Sequence, residues 1–385
     1  MSFDFYKQQL IAWRRNFHQH PEISGQEKET AAFVADCLRR MGLEVQENIA
    51  GYGLVGILRG DPQKKCVAIR ADMDALPIEE ANDCEYKSCY PGKMHACGHD
   101  AHMAMVLGAM KYLSLHRPAG TVKCIFQPRE EKPPGGAKDM VAAGVLENPK
   151  VDAVFATHIT NSYPVGTIAI HEGVVMAVAD DFALSIFGKG GHGARPHETI
   201  DTIAVTAQCI EALQVIHSRR IDPSDPVVLT IGTIHGGTAQ NIIPDRVDMT
   251  GTLRCLSTEI RDQVLDFMHK TLTGVTEAWG AHYRLDYIYG YPPVVNDKRL
   301  LGIIETVIPQ LPGAKIYHME KPLMAGEDVS YFGANTPLAF FFTGAGSKEK
   351  CQAWHNCRFD IDEESLPYGA GVLALAAAKV AEEDK

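Results

Sequence analysis

Four short apolar runs, at residues 66–70, 122–126, 153–157 and 338–342, constrain the fold of this chain most strongly. Runs of this length without polar alternation read as strands buried on both faces, which is how strands of a largely parallel sheet appear. Helical patterns separate them. Residues 27–41 close at Gly42, residues 101–115 place Val106, Leu107, Met110 and Leu113 at core spacing, and residues 138–146 fit a further helix. Each run ends in polar residues: Asp72 and Asp74 after the first, Gln127-Pro128-Arg129-Glu130-Glu131 after the second, His158 after the third and Thr343-Gly344-Ala345-Gly346 after the last. Ligands of open α/β sheets bind at the carboxyl ends of strands. The opposite loops, such as Asp61-Pro62-Gln63-Lys64, lack His, Cys and paired carboxylates, so one composite site is expected.

Between residues 180 and 292 the rhythm changes. Strand patterns at 181–188, 227–235, 246–255 and 283–289 alternate with helices at 199–217 and from the N-cap Ser257 to about Trp279. That order, βαββαβ, is ferredoxin-like. With α/β segments on both sides, the chain reads as an α/β mixed-sheet domain (1–179 and 293–385) carrying an inserted α+β domain (180–292). Two domains also suit 385 residues.

The formal charge of −11 argues against sequence-independent binding to nucleic acid or to an anionic membrane. No apolar tract is long enough to span a bilayer, and the first residues lack the apolar core of a signal peptide. The ten cysteines are scattered, several of them in apolar runs, as free thiols that behave as small hydrophobes. A cytoplasmic protein is expected.

The densest chemistry lies in Met94-His95-Ala96-Cys97-Gly98-His99-Asp100-Ala101-His102. Thiolate and imidazole are the preferred ligands of a borderline divalent metal. An extended segment would place His95, Cys97 and His99 on one face, and a helix would align His95, His99 and His102. Gly98 favours an extended or tight-turn geometry that brings Cys97 and His99 together. In Glu130-Glu131 the adjacent carboxylates project differently, so one can bind metal while the other activates water. His158 and His355 are weak signals singly. With Cys97, His99 and Glu131 they make more ligands than one tetrahedral ion needs, which suggests two metals sharing a ligand.

These motifs, with Arg70-Ala71-Asp72-Met73-Asp74-Ala75-Leu76-Pro77 and the turn from Gly236 to Asp245, resemble the dinuclear metallo-amidohydrolase and metallopeptidase family that includes aminoacylases. The resemblance is strongest to the branch of hippurate hydrolases, auxin–amino acid conjugate hydrolases and N-acetyldiaminopimelate deacetylases. It implies Cys97, His99, Glu131, His158 and His355 as ligands of two divalent ions (Zn, Mn, Ni or Co), with Cys97 bridging them. Glu130 is implied as general base, and Asp74 and Asp100 as supports of the ligands. It further implies His192 as an oxyanion donor, Asn241 and Arg254 as substrate-positioning groups, and a homodimer or higher homo-oligomer. His95 and His102 fall to structural or supporting roles, and His197 and His235 receive none. Aminoacylases carry a ligand histidine where this chain has Asp72, and Arg129 stands where a small residue is usual, adding charge beside the metals.

The function so implied is metal-dependent hydrolysis of the amide bond of N-acyl amino acids. A metallo-dipeptidase is the nearest alternative. A non-catalytic metal- or ligand-binding protein on the same fold is the alternative from another class.

Overall fold

In the computed structural model, which describes residues 6–385, the four apolar runs lie side by side in one eight-stranded sheet. Its first six strands in chain order are β1 (Glu44–Ile49), β2 (Gly53–Leu58), β3 (Cys66–Asp72), β4 (Thr121–Gln127), β5 (Ala153–Pro164) and β6 (Thr167–Ile170). The spatial order is β1-β2-β4-β3-β5, then Leu338–Gly346, β6 and Lys315–His318. β3 is parallel to β4 and β5, and β5 is parallel to Leu338–Gly346, whereas β1, β2 and β4 pair antiparallel. The sheet is therefore mixed. β3 and β4 are buried at every position, as central strands covered on both faces must be. β1, with the polar sequence EVQENI, is an edge strand whose composition hides it from pattern reading.

This sheet belongs to the first of two units, which runs to Val175 and resumes over Val294–Pro322 and Asp328–Lys385. Helices α1 (Lys7–Gln19), α2 (Lys28–Arg40) and α3 (His99–Leu115) belong to it, with Leu366–Ala381 near the end of the chain. α3 is buried at every position from His99 to Met110, not on one stripe, because α1, Leu366–Ala381 and the sheet all pack against it. It starts at His99, earlier than the apolar pattern suggests. Gly98 sets the start by adopting φ +91° as N-cap, where a Cβ would also meet the Ile159 side chain at 2.3 Å. The helix expected over 138–146 is shorter, Gly136–Ala142, because Gly144 turns the chain at φ +83°.

Arg14 of α1 is fully buried. It donates to Asp100 Oδ2 and to Asp360 Oδ1, each at 2.8 Å, joining α1, α3 and the C-terminal segment. Removing a buried cation leaves its carboxylates uncompensated. Arg14→Ala is expected to lower unfolding stability by about 3–5 kcal/mol, read from urea melts. A loss below about 1 kcal/mol would show that solvent reaches the cluster.

The second unit comprises Met176–Pro293 and Leu323–Glu327. Its four-stranded antiparallel sheet has the order Val227–Gly236, Arg246–Cys255, Val178–Phe187, His282–Tyr291. With the helices Thr202–Arg219 and Thr258–Ala278 this is the ferredoxin-like βαββαβ arrangement. Each helix has a side-chain N-cap: Asp201 accepts from Ile203 N and Ala204 N, and Ser257 from Ile260 N. Leu184, Leu213, Met249, Leu253, Met268 and Leu272 are in the core between helices and sheet. Among the described residues no helix is long and apolar enough to cross a membrane, and no cysteine is paired.

Candidate metal centre

β3 and β5 pair only as far as Arg70 and Ala156. Beyond that point β3 continues along β4 to Asp72, and β5 continues along Leu338–Gly346, with Phe342 opposite His158. The candidate site lies in the crevice where the strands separate. His158 is therefore inside a strand that runs on to Pro164, not at a strand end as the apolar run implied; its outer neighbour supplies the pairing that β3 no longer does.

Two histidines are aimed by hydrogen bonds from their far nitrogens. His99 Nδ1 donates to the Asp74 carbonyl at 2.8 Å, and His158 Nδ1 donates to the Ile159 carbonyl at 2.8 Å. Each thereby keeps its Nε2 for the cluster. Cys97 Sγ lies 3.4 Å from His158 Nε2, so the tight turn at Gly98 does gather Cys97 and His99. His355, in a half-exposed loop at φ +64°, donates its backbone N–H to Ala96 O and places Nε2 3.1 Å from Glu131 Oε1.

The acidic pair is mounted on other carboxylates. The Asp74 side chain accepts from Glu130 N and Glu131 N, each at 3.0 Å, and from Ser24 Oγ at 2.6 Å. Arg129 N donates to Glu27 Oε1 at 2.8 Å. Three successive N–H groups are thus held, with Arg129 at φ +58°. Both side chains then approach one atom: Glu130 Oε2 lies 4.0 Å and Glu131 Oε1 3.9 Å from His99 Nε2. Burial pushes the Glu27 carboxyl up to about 7 despite its backbone hydrogen bonds.

Donor atoms fall into overlapping groups, Cys97/His99/His158, Cys97/Glu131/His355 and His99/Glu130/Glu131, each within 4.8 Å. His99 Nε2 is buried without a hydrogen-bond partner, and Glu131 Oε1 meets only its fellow donors Cys97 and His355. Such an orphaned atom is costly unless a cation satisfies it. Zinc bond lengths of 2.0–2.3 Å in a tetrahedron put neighbouring ligands about 3.3–3.8 Å apart, close to the separations seen here. Electrostatics agree. Burial, then Glu131 and Glu130, push the Cys97 thiol well up. Burial disfavours a charged His99, yet Asp72, Asp74 and Glu131 carry it up to about 10. Burial holds His158 well below the ordinary range. Protons thus occupy positions that a divalent ion would take over, and the donor set fits metal binding.

Several expectations need correction. Asp100 supports no candidate ligand: it accepts from Arg14 Nε at 2.8 Å, His18 Nδ1 at 2.7 Å and Ala101 N. Arg14 and His18 hold its carboxyl down against the cost of burial. Arg129 adds no charge to the cluster, since its guanidinium turns to Asp139 at 2.6 Å. His95 is buried with both ring nitrogens unpartnered, and burial depresses it to about 3. His102 bonds Asp72 and Ile159. Glu27, Arg70 and Trp354 received no role from the sequence. Only the place of Arg70 and Glu27 beside strongly patterned elements hinted at them.

In the second unit, Gly191–His192 pairs with Ile242–Ile243, and Gly193 N donates to Asn241 O at 2.8 Å. His192 and Asn241 are thus neighbours. His192 Nδ1 accepts from Ala194 N at 3.1 Å, which places the proton of the neutral ring on Nε2. Arg254 donates Nη1 to the carbonyls of Asp180 and Leu253, at 2.9 and 3.1 Å.

Comparisons with known proteins bear on this arrangement. Residues 68–379 match the family described as Peptidase family M20/M25/M40. The N-acyl-L-amino acid amidohydrolase of Geobacillus stearothermophilus is 45% identical over 295 residues, covering 76% of this chain and 79% of that protein. Thermostable carboxypeptidase 2 of Saccharolobus solfataricus is 40% identical over 377 residues, covering 96% and 95%. The structure of Bacillus subtilis YXEP, described as a dinuclear metal binding peptidase from the M20 family, superposes with a TM-score of 0.85 at 33% identity, covering 98% of this chain and 99% of that one.

Proposed function

The chain belongs to peptidase family M20/M25/M40, and from that premise we propose that it hydrolyses the amide bond of N-acyl amino acids. Two divalent ions would be held by Cys97, His99, Glu131, His158 and His355. The carrying observation is the pair of carboxylates mounted on Asp74: both reach within 4.0 Å of the orphaned His99 Nε2, and Glu131 also lies in one donor group with Cys97 and His355. Such ions, when bound, polarise an amide carbonyl and make water acidic.

Glu130 takes a proton from the attacking water as the C–O bond forms, then delivers it to the nitrogen as the C–N bond breaks. Its backbone N–H is held by Asp74, so the carboxylate works from an anchored main chain. In the second unit, the Nε2–H of His192 suits an oxyanion donor, with Asn241 and Arg254 as substrate-positioning groups. The likeness to the amidohydrolase supports an acyl-capped substrate. The likeness to the carboxypeptidase favours a second reading, in which the acyl group is an aminoacyl residue.

A panel of N-acetyl amino acids, N-benzoyl amino acids and dipeptides, assayed on metal-loaded protein, separates the two. Higher kcat/KM on the capped amino acids is expected. The reverse order would make the protein a peptidase, and turnover of none of them would leave a binding protein, for which Glu130 has no evident use.

A further inference from the structure

Where β3 and β5 part, the gap is bridged by a side chain. Ile159, three residues past the last β3–β5 pair, donates its N–H to His102 Nε2 at 2.9 Å. The same ring donates from Nδ1 to Asp72 Oδ1 at 2.7 Å, so α3 spans from the end of β3 to β5. Asp72 is itself fixed: Arg70 Nη1 holds its other oxygen at 2.8 Å, while Arg70 Nη2 and Nε bond Asp328 and Gln127, each at 2.9 Å. Asp72 and His102 have at most 1% of their surface exposed. In so dry a place an unmade hydrogen bond is costly, and both ends of the ring are committed.

The other polar group of Ile159 faces the candidate ligands. Its carbonyl accepts from His158 Nδ1 and from Trp354 Nε1, both at 2.8 Å. The rings are in contact as well, with centroids 4.5 Å apart for His102 and His158 and 4.4 Å for His158 and Trp354. One residue's backbone therefore sets the tautomer and plane of His158 and anchors the residue before His355. His102 also lies near Asp72 and His99 in a group that could hold a cation. With Nε2 receiving an N–H and Nδ1 donating one, however, its ring has no lone pair left for a metal.

We propose that His102 is a positioning residue for the metal centre: acting through the Ile159 backbone, it aims His158 at the site and seats the Trp354–His355 loop. This rests on the reading of His158 and His355 as ligands. Groups that orient a ligand are typically worth 10–100-fold in metal affinity.

The test is a cobalt(II) titration of metal-free wild type, His102→Ala and His102→Gln, followed by the d–d and thiolate-to-cobalt absorption bands, with circular dichroism as the check of fold. Wild type should take up two equivalents. His102→Ala should lose about 10–100-fold in affinity for at least one of them, with displaced bands. His102→Gln, which keeps a donor and an acceptor, should lose less, and it carries the test if the alanine variant does not fold. Added imidazole should restore the His102→Ala spectrum, whereas 1-methylimidazole, an equally good cobalt ligand without a ring N–H for Asp72, should not. Wild-type affinity and bands in both folded variants, or equal rescue by the two imidazoles, would overturn the role of His102 and leave the metal reading intact. If wild type itself takes up no cobalt, both fall together.

Discussion

Glu130→Gln is expected to bind metal as wild type does and to lose about 10²- to 10⁴-fold in kcat, the range set by removing a general acid–base group. The substitution is close to isosteric. It leaves the Glu130 N–H on Asp74, so neither the mount nor its neighbour Glu131 should move. What disappears is the capacity to accept a proton from water and return it to the amine. Because Glu130 is assigned no share of substrate binding, KM should change little, and kcat and kcat/KM should fall together. Metal content by elemental analysis and kinetics on one preparation separate the outcomes. Unchanged turnover would falsify the assignment. Loss of metal together with turnover would instead make Glu130 a ligand, which its 4.0 Å separation from His99 Nε2 keeps as the competing view.

The site was legible where local chemistry and local geometry coincide. Cys97-Gly98-His99 could be read because glycine at the turn decides between the two possible alignments of the histidines, and Gly98 does take the left-handed conformation. Asp74 was legible as a support, and it bonds both acidic residues and His99. Asp100 was misread because its partners, Arg14 and His18, lie 86 and 82 residues away, beyond any periodicity. His99 and His102 pose the same difficulty more sharply. Both occupy the first turn of α3, both are buried and both have Nδ1 engaged; the Ile159 N–H on His102 Nε2 decides that His99 is the ring left with a free nitrogen.

The fold shows a similar division. Buried runs such as β3 and β4 announce themselves by composition, and the βαββαβ order of the second unit follows from its alternating patterns and the N-cap Ser257. The extent of β5 does not. Its continuation past His158 depends on Leu338–Gly346, a strand some 180 residues later whose register no local pattern encodes. That continuation matters, because it puts Ile159 where its two polar groups meet His102 on one side and His158 and Trp354 on the other.

Cys97→Ala is expected to lose metal before it loses the fold. The thiol's polar contacts, with His158 and Glu131, are to the cluster itself, and a small buried side chain truncated to alanine costs about 1–2 kcal/mol at most positions. For the metals the change is larger. Sγ belongs to both the group with His99 and His158 and the group with Glu131 and His355, so its removal opens two donor sets at once. The loss in affinity should exceed the 10–100-fold typical of groups that merely orient a ligand. The sign of proton release gives an independent check. Burial and the neighbouring carboxylates of Glu131 and Glu130 raise the thiol, so at pH 7–8 the metal-free protein carries the proton, and coordination must expel it. Calorimetric titration in buffers of different ionisation enthalpy should therefore count one proton fewer on loading Cys97→Ala than on loading wild type. A variant that loads fully, releases as many protons as wild type and keeps full activity would remove Cys97 from the centre and leave His99, Glu131, His158 and His355 to hold the metal without a thiolate.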